Sequence, residues 1–319
     1  MRHNRIGSSS VEVTAMGLGT AQLGDLYEAL DQDRATSIVD AAWNAGIRYF
    51  DTAPHYGLGL AEKRLGVALA PYRRHDYVVS SKVGRIVAPG SDGTPRRRWD
   101  FSASGIRRSI DDSLTRLGLD RIDIALIHDP QGHLFEALNY AYPALAKLRA
   151  DGVVGAIGVG SGDLGALGAF ARETDIDAAM IAGRYTLLEQ PALEEVIPAC
   201  IEAGISVLNA GVFNSGLLGA TNPSADSKYE YAAVPPELLE RARRLADVAR
   251  NGGSTLPQAA LRFAGRDPVV SSVVVGADGP EQLRQNVAMF EDPRSMDDLW
   301  ASLEQAHLIP SSLNSPSRK

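Results

Sequence analysis

The sequence offers little for disulfides or metal sites, because Cys200 is its single cysteine. One cysteine excludes an intrachain disulfide and any site with several thiolate ligands. With a single cysteine we expect a reducing compartment. The six histidines also lack zinc-binding spacing, so we expect no metal site. Cys200 follows Val196 and Ile197 at helical spacing with no histidine beside it, which predicts a buried helix residue rather than a nucleophile.

Long apolar runs and an excess of basic residues are absent as well. No stretch approaches the roughly 18 apolar residues of a membrane span, and residues 1–13 are polar, unlike a signal peptide. The net charge is −7, from 32 Lys and Arg against 39 Asp and Glu, with no evident basic face for nucleic acid. We therefore expect a cytoplasmic protein that binds neither membranes nor nucleic acids. The sequence indicates no particular oligomeric state.

What the sequence does contain is an alternation of two patterns. Short β-branched runs are followed by stretches with 3.6-residue periodicity, and eight such units succeed one another. The predicted strands span residues 15–19, 49–51, 78–82, 122–128, 156–159, 178–182, 206–209 and 270–275. The predicted helices span residues 31–45, 61–69, 102–117, 139–151, 164–174, 191–203, 256–265 and 280–290, with two more at 237–250 and 296–305.

Eight βα units with strands too apolar to leave one face in water predict an α/β fold, a closed (β/α)8 TIM barrel. We expect a single domain over residues 1–319. The alternative is a doubly wound open sheet, for which the Gly17-Leu18-Gly19 turn is a weak signature because no helix begins on it. Long loops at 83–100 and 210–236, after strands three and seven, would cover the C-terminal face, where barrel active sites lie. Within the first loop, Arg96 to Arg98 are expected to be a solvated charged segment.

Four polar residues stand at or just beyond consecutive strand ends. Asp51, Lys82 and His128 close predicted strands two, three and four, and Tyr56 follows Asp51 on the next loop. In a barrel these ends meet at one mouth, so the four side chains become neighbours. A phenol with a pKa near 10 exchanges protons usefully only when its anion is stabilised, which Lys82 would do by charge. Asp51 would hold Lys82, and His128 would hydrogen-bond the reacting oxygen.

These residues lie in segments that resemble the aldo-keto reductase superfamily. The segments are YFDTAPHYG at 49–57, EKRLG at 62–66, SK at 81–82 and IALIH at 124–128. The resemblance implies a catalytic tetrad of Asp51, Tyr56, Lys82 and His128, with Tyr56 as acid or base, and a nicotinamide cofactor bound across the mouth. Further segments resemble the branch of D-threo-aldose 1-dehydrogenases, which includes pyridoxal 4-dehydrogenases: WDFS at 99–102, HDP at 128–130 and GVFNSG at 211–216.

The same resemblance implies a set of cofactor contacts. They are Gly19, Thr20 and Ala21 after strand one; Ser161, Arg184 and Asn209 near the nicotinamide amide; Ala210, Gly211, Phe213, Ser215, Gly216 and Leu217 near the pyrophosphate; and Gly276, Asp278, Gln282, Gln285 and Asn286 near the adenosine. The chain departs from the common pattern in two places. Gly160-Ser161 replaces a Ser-Asn pair, and Asn209 stands where many members have an aromatic ring.

The adenosine segment predicts which nicotinamide cofactor is preferred. Members that prefer NADP usually carry Lys or Arg at the positions of Gly276 and Gln282, where the side chain pairs with the 2′-phosphate. Asp278 adds a negative charge, which would accept a hydrogen bond from a 2′-hydroxyl and repel a 2′-phosphate. NAD is therefore expected, and NADP stays possible because Arg284 lies near.

The implied reaction is NAD(P)-dependent oxidation of a cyclic aldose at C1 to its lactone. The sugar would be of the L-fucose, D-arabinose or L-galactose type, and His55 and Asp129 are candidate substrate contacts. One alternative is a pyridoxal 4-dehydrogenase on the same scaffold, since a hemiacetal is common to both substrates. A second is a non-catalytic, cofactor-binding regulatory subunit.

Overall fold

Eight parallel strands close into a barrel in the structure, a computed structural model that describes residues 1–311. The strands are β1 (Met16–Gly19), β2 (Tyr49–Asp51), β3 (Val78–Val83), β4 (Ile122–His128), β5 (Val154–Ser161), β6 (Ala178–Ala182), β7 (Ser206–Ala210) and β8 (Val270–Val275). Each pairs with its neighbours in sequence order, and β8 closes the ring on β1. The predicted (β/α)8 architecture is confirmed. Residues 312–319, the end of the predicted domain, lie outside the described residues.

Helices follow the strands and surround the barrel. They are α1 (Gln32–Asn44), α2 (Leu60–Leu69), α3 (Ala103–Leu117), α4 (Tyr142–Ala150), α5 (Leu164–Glu173), α6 (Val196–Ala203), α7 (Pro236–Asn251), α8 (Leu256–Ala264), α9 (Pro280–Phe290) and α10 (Asp297–Gln305). Several begin where a short polar side chain accepts a hydrogen bond from a free backbone N–H, as Asp31 does for α1 and Ser102 for α3. Gly204 ends α6 with a left-handed φ of 68°, a conformation that glycine commonly adopts just past a helix.

Side-chain alternation along the strands decides which residues face the barrel axis. Tyr49, Leu126 and Leu208 pack together inside the barrel, whereas the residues between them face the helices. Asp51 and His128 lie two positions beyond Tyr49 and Leu126, so their side chains also point inward, at the C-terminal end. The predicted site residues on β2 and β4 therefore share the mouth of the barrel.

The opposite end of the barrel is closed by a hairpin that the sequence pattern did not predict. It pairs His3–Arg5 with Glu12–Thr14 in antiparallel register. Ile6 and Val13 are fully buried against the barrel interior. These strands are three residues each, too short to show a periodic pattern in the sequence.

Other segments differ from the sequence prediction in detail. The loop after β3 contains a hairpin of Arg85–Pro89 with Pro95–Trp99, and Arg96 to Arg98 on it are exposed, as predicted. The loop after β7 contains a smaller hairpin of Lys228–Tyr229 with Ala232–Ala233. The helix predicted from residue 191 begins at Val196, because Glu195 has a non-helical φ of −132°. Helix α4 begins later than predicted, after the wide helical turn Ala137–Ala141.

Cys200 is buried in α6, as predicted. Burial raises the pKa of its thiol to about 12, so the sulfur stays protonated and unreactive. Within residues 1–311 no helix is both long and apolar enough to cross a membrane. The same residues hold no group of three or more His, Cys, Asp or Glu side chains placed to bind a metal ion.

Candidate active site

The centre of the site is a buried ion pair between β2 and β3. Lys82 Nζ lies 2.8 and 2.9 Å from the two carboxylate oxygens of Asp51, and it also donates to the carbonyl oxygen of Thr52 at 3.0 Å. Lys82 is 3% exposed and Asp51 is 2% exposed. Burial alone would lower the pKa of the lysine, but Asp51 and Tyr56 together outweigh it and the net pKa is raised. Lys82 is therefore a permanent positive charge.

The Asp51 carboxylate is held from below by a chain of hydroxyls. Ser80 donates to Asp51 Oδ1 at 2.6 Å, and Tyr49 Oη lies 2.9 Å from Ser80 Oγ. Thr20 donates to the backbone carbonyl of Asp51 at 2.9 Å. All three hydroxyl-bearing residues are fully buried. The ion pair thus has a fixed orientation, set by residues of β2, β3 and the end of β1.

Tyr56 lies above the ion pair on a short turn after β2. The ammonium of Lys82 is 4.9 Å from the centre of the Tyr56 ring. Burial, and secondarily the charge of Asp51, raise the pKa of Tyr56, while Lys82 opposes them. The phenol is therefore neutral near pH 7 in the free protein, and Lys82 is the group that stabilises its anion.

The turn that carries Tyr56 depends on two glycines in contact. A Cβ on Gly24 would lie 2.6 Å from the carbonyl carbon of Tyr56, and one on Gly57 would lie 2.6 Å from the oxygen of Gly24. Gly57 also has a φ of 59°, a conformation that glycine adopts without steric cost. Close backbone packing of the segment after β1 therefore places the phenol.

His128 completes the group of four at the end of β4. Its ring is perpendicular to that of Tyr56, with 6.3 Å between centres. Burial, and then the charges of Lys82 and Arg85, hold the pKa of His128 well below 6.5, so the imidazole is neutral. Its Nδ1 is buried without a hydrogen-bond partner among the described residues. The structure thus brings together all four residues of the predicted tetrad.

Both predicted substrate contacts lie beside His128. The His55 ring is 5.8 Å from the His128 ring and perpendicular to it. Burial, and then the charges of Arg85 and Arg97, lower the pKa of His55 to about 4, so this imidazole is neutral too. Asp129 Oδ2 lies 3.5 Å from His128 Nε2. Two neutral rings and a carboxylate therefore surround the position above Tyr56.

Arg85 also belongs to this mouth, although the sequence pattern did not mark it as a site residue. Its Nη1 lies 3.1 Å from Asp129 Oδ2, and its guanidinium lies over the Trp99 ring at 5.0 Å. The sequence of the loop after β3 has no pattern typical of a strand. The position of Arg85 depends on the hairpin register, which pairs it with Trp99 and turns it toward Asp129. The one signal available was a cation three residues beyond Lys82.

The predicted pyrophosphate segment follows β7 and has an unusual backbone. Asn214 and Ser215 have left-handed φ values of 47° and 59°, which non-glycine residues adopt at a cost. Gly211, with a φ of 67°, approaches the backbone of Gly183 so closely that a Cβ would lie 3.0 Å from its nitrogen. Ala210, Phe213, Gly216 and Leu217 complete the segment, with Leu217 buried. The N–H groups of Asn214, Gly216 and Leu217 donate to carbonyl oxygens within the segment and hold this turn.

The three residues predicted to lie near the nicotinamide amide occupy different environments in the structure. Ser161 is buried at the end of β5, where its hydroxyl donates to Gln131 at 3.1 Å. Arg184 forms ion pairs with Glu189 and Glu230. The expectation for Asn209 is wrong, because its Nδ2 donates to the carbonyl oxygens of Tyr185 and Ala264 at 2.8 and 3.0 Å.

The side-chain alternation of β7 explains this correction. Leu208 and Ala210 face the barrel axis, so Asn209 between them points into the layer between strands and helices. Asn209 is fully buried there and does not reach the mouth. Ala210 is the inward-facing residue at that level.

The predicted adenosine residues gather around the end of β8. Gly276 lies against the side chain of Gln22. The predicted contacts Gly19, Thr20 and Ala21 directly precede Gln22 in the chain, after β1. Asn286 is 5% exposed, and its Nδ2 has no partner among the described residues. Gln285 donates to Glu281 at 3.2 Å. A buried amide donor without a partner suits an adenine ring, so these residues fit the predicted cofactor.

The charged residues at this end of the site form contacts with neighbouring residues. Arg284 forms an ion pair with Glu281. Burial and the neighbouring Glu28 raise the pKa of Asp278, while Arg34 opposes them. Arg34 itself donates to the backbone oxygen of Asp278 at 2.8 Å, and the Asp278 N–H donates to Gln282 at 2.7 Å.

Comparisons with known proteins show the family to which this chain belongs. The sequence profile of the Aldo/keto reductase family matches residues 15–307. D-threo-aldose 1-dehydrogenase from Pseudomonas sp is 48% identical over 95% of this chain and 97% of its own length. Pyridoxal 4-dehydrogenase from Microbacterium luteolum is 36% identical, with coverage of 95% and 97%. An aldo-keto reductase structure from Bacillus halodurans has a TM-score of 0.79 at 25% identity, over 100% of both chains. This chain therefore belongs to the aldo/keto reductase family and is an oxidoreductase that uses a nicotinamide cofactor.

Proposed function

We propose that the protein oxidises a cyclic aldose at C1 to the lactone, with NAD as the preferred cofactor and Tyr56 as the proton acceptor. The observation that carries this proposal is the buried Lys82, held by Asp51 and directed at the Tyr56 ring. Because solvent does not screen the charge of a buried lysine, that charge stabilises a nearby phenolate and allows it to act as a base. The 48% identity with a D-threo-aldose 1-dehydrogenase supports the substrate class.

The proposed reaction uses each member of the tetrad at one step. The anomeric hydroxyl of the sugar binds between Tyr56 Oη and His128, and the neutral imidazole of His128 orients its oxygen. The Tyr56 phenolate takes the hydroxyl proton as the C1–H bond breaks and the C1=O bond of the lactone forms. When bound, a nicotinamide cofactor would supply the hydride acceptor. Lys82 stabilises the phenolate before proton transfer, and Asp51 keeps Lys82 in position.

The cofactor preference rests on the adenosine end. Asp278 and Glu28 place two carboxylates there, and Arg284 is paired with Glu281. A 2′-phosphate would meet these negative charges, while a 2′-hydroxyl can donate to one of them. Arg34 donates to the backbone of Asp278 and is the cation through which a 2′-phosphate of NADP would be bound.

The decisive experiment measures NAD reduction by the purified protein with L-fucose, D-arabinose, L-galactose and pyridoxal. We expect a higher kcat/KM for an aldose than for pyridoxal, with the lactone identified as product. The alternative, oxidation of pyridoxal, has the support of a relative that is 36% identical. A kcat/KM for pyridoxal well above that for every aldose would establish the alternative.

The polar lining of the mouth is what favours the aldose. Arg85, Asp129 and His55 offer charged and hydrogen-bonding groups around the reacting position. A sugar presents several hydroxyls to such groups, whereas a pyridine ring would favour apolar walls.

A further inference from the structure

An ion pair stands beside the reacting position without being part of the tetrad. Asp129 Oδ2 lies 3.1 Å from Arg85 Nη1 and 3.5 Å from His128 Nε2. The Arg85 and Asp129 side chains are 24% and 29% exposed, against 8% for His128. The pair therefore lines the opening of the site. A small ligand bound to His128 would also contact Asp129 and Arg85.

Both partners are held in place before any ligand binds. Asp129 has a left-handed φ of 46°, and its backbone N–H donates to the carbonyl of Gly160 at 2.9 Å. Arg85 lies over Trp99, which is itself stacked on Phe101 with ring centres 5.7 Å apart. A charged pair fixed in this way binds a ligand at a smaller entropic cost than mobile side chains would.

The pair keeps hydrogen-bonding capacity that the protein does not use. The only contact between them is Arg85 Nη1 to Asp129 Oδ2. Among residues 1–311, Asp129 Oδ1 and the Nε and Nη2 groups of Arg85 have no hydrogen-bond partner. Asp129 thus has a free acceptor next to free N–H donors of Arg85. A sugar hydroxyl, which both donates and accepts, can bind such a combination.

We infer that Asp129 and Arg85 bind the hydroxyl on C2 of the aldose, an inference that rests on the proposed function. With the C1 hydroxyl between Tyr56 and His128, the atoms joined to C1 are C2 and the ring oxygen. An ionised carboxylate only accepts hydrogen bonds, and the ring oxygen has no hydrogen to give. Asp129 therefore accepts a hydrogen bond from the C2 hydroxyl, and Arg85 donates one to the oxygen of that hydroxyl.

This contact would make the C2 hydroxyl a requirement for efficient turnover. A 2-deoxy sugar leaves the partly desolvated carboxylate of Asp129 without a partner, which penalises its transition state. Hydrogen bonds to charged groups predict a loss of roughly 10- to 100-fold in kcat/KM for the deoxy sugar. The hemiacetal of pyridoxal likewise has no hydroxyl on the adjoining carbon, so the same pair would discriminate against it.

The test compares kcat/KM for L-fucose and 2-deoxy-L-fucose in the wild-type protein and in Asp129→Ala and Arg85→Ala. We expect a ratio of roughly 10 to 100 in the wild type, falling to within about threefold of unity in both variants. A merely structural role would lower both constants together and leave the ratio unchanged. Arg96→Ala is the matched control, since Arg96 is exposed on the same hairpin and pairs with Asp92 at its tip.

A wild-type ratio near one, or a ratio that survives both substitutions, overturns the inference. If Asp129→Ala does not fold, Arg85→Ala decides alone, because Arg85 lies on a separate hairpin. A wild-type protein that oxidises no aldose at all would overturn the proposed function, and this inference with it. If the protein oxidises L-fucose but the ratio of kcat/KM between L-fucose and 2-deoxy-L-fucose is the same in the wild type and both variants, only this inference is overturned.

Discussion

Tyr56 is the residue at which the proposed proton transfer takes place, so removing its hydroxyl is the most direct test. Tyr56→Phe keeps the ring that faces Lys82 and His128 and removes only the oxygen. We expect kcat to fall by at least roughly 100-fold, with the fold and NADH affinity retained. Steady-state kinetics, circular dichroism and NADH fluorescence titration measure these. Tyr72→Phe is the control, because Tyr72 bonds Asp40 on the outside of the barrel; an active Tyr56→Phe protein would show that the tetrad is wrongly assigned.

The pKa values of Tyr56 and His128 predict the pH dependence. The pKa of Tyr56 is raised above 10, mainly by burial, and oxidation needs its deprotonated form. The reactive fraction therefore grows as pH increases toward that pKa, and kcat/KM for oxidation should climb from about pH 6 to about pH 10. His128 should add no inflection between about pH 5 and 8, since its pKa lies well below 6.5. A profile that falls above neutral pH would contradict the role of Tyr56, and an inflection between about pH 5 and 8 would contradict the neutral state of His128.

Asp278 is the residue on which the cofactor preference is tested. The wild-type kcat/KM should favour NAD over NADP, and Asp278→Ala should narrow the gap by about five- to tenfold, the effect of one partly screened charge. Kinetics with both cofactors measure the change. Asp297→Ala serves as control, because it removes an exposed carboxylate at the start of α10. A wild-type preference for NADP would refute the proposed specificity.

At the scale of elements, the contact between the turn after β1 and the turn after β2 positions Tyr56. Gly24→Ala places a Cβ 2.6 Å from the Tyr56 carbonyl carbon, so one backbone must move. We expect kcat/KM to fall by roughly tenfold or more and the free energy of unfolding to drop by about 1–3 kcal/mol. Gly132→Ala is the matched control, since a Cβ there meets nothing within 4 Å. Equal activity and stability in the two variants would show that the close approach does not matter.

For the whole molecule, the two ends of the barrel have separate tasks. Ile6 is fully buried at the closed end, far from the mouth, so Ile6→Ala should lower the free energy of unfolding by about 2–4 kcal/mol. The kcat of the folded variant should match the wild type, because active sites form at the C-terminal face. Urea unfolding and kinetics below the transition measure both. Val67→Ala, at a 58% exposed position on α2, should change stability by less than about 0.5 kcal/mol. A catalytic defect in folded Ile6→Ala would contradict this separation.

The sequence by itself determined the repeating βα pattern and the residues at the strand ends, because both depend on local periodicity and on chain order. Asp51, Lys82 and His128 could be placed at one mouth once the eight units were recognised as a barrel. The tertiary structure decided which way a side chain points when the strand boundary was uncertain by one residue. Asn209 shows the consequence, since alternation along β7 turns it away from the axis and leaves Ala210 facing it.

Tertiary structure also decided every contact between segments that lack a periodic signal. Arg85 reaches Asp129 only because an antiparallel register folds residues 85–99 back over the mouth. Ile6 and Val13 enter the barrel interior through strands of three residues each, which show no pattern. The Ser80 hydroxyl meets Asp51 because adjacent parallel strands align these residues. Such pairings depend on long-range register, which the order of residues along one segment does not contain.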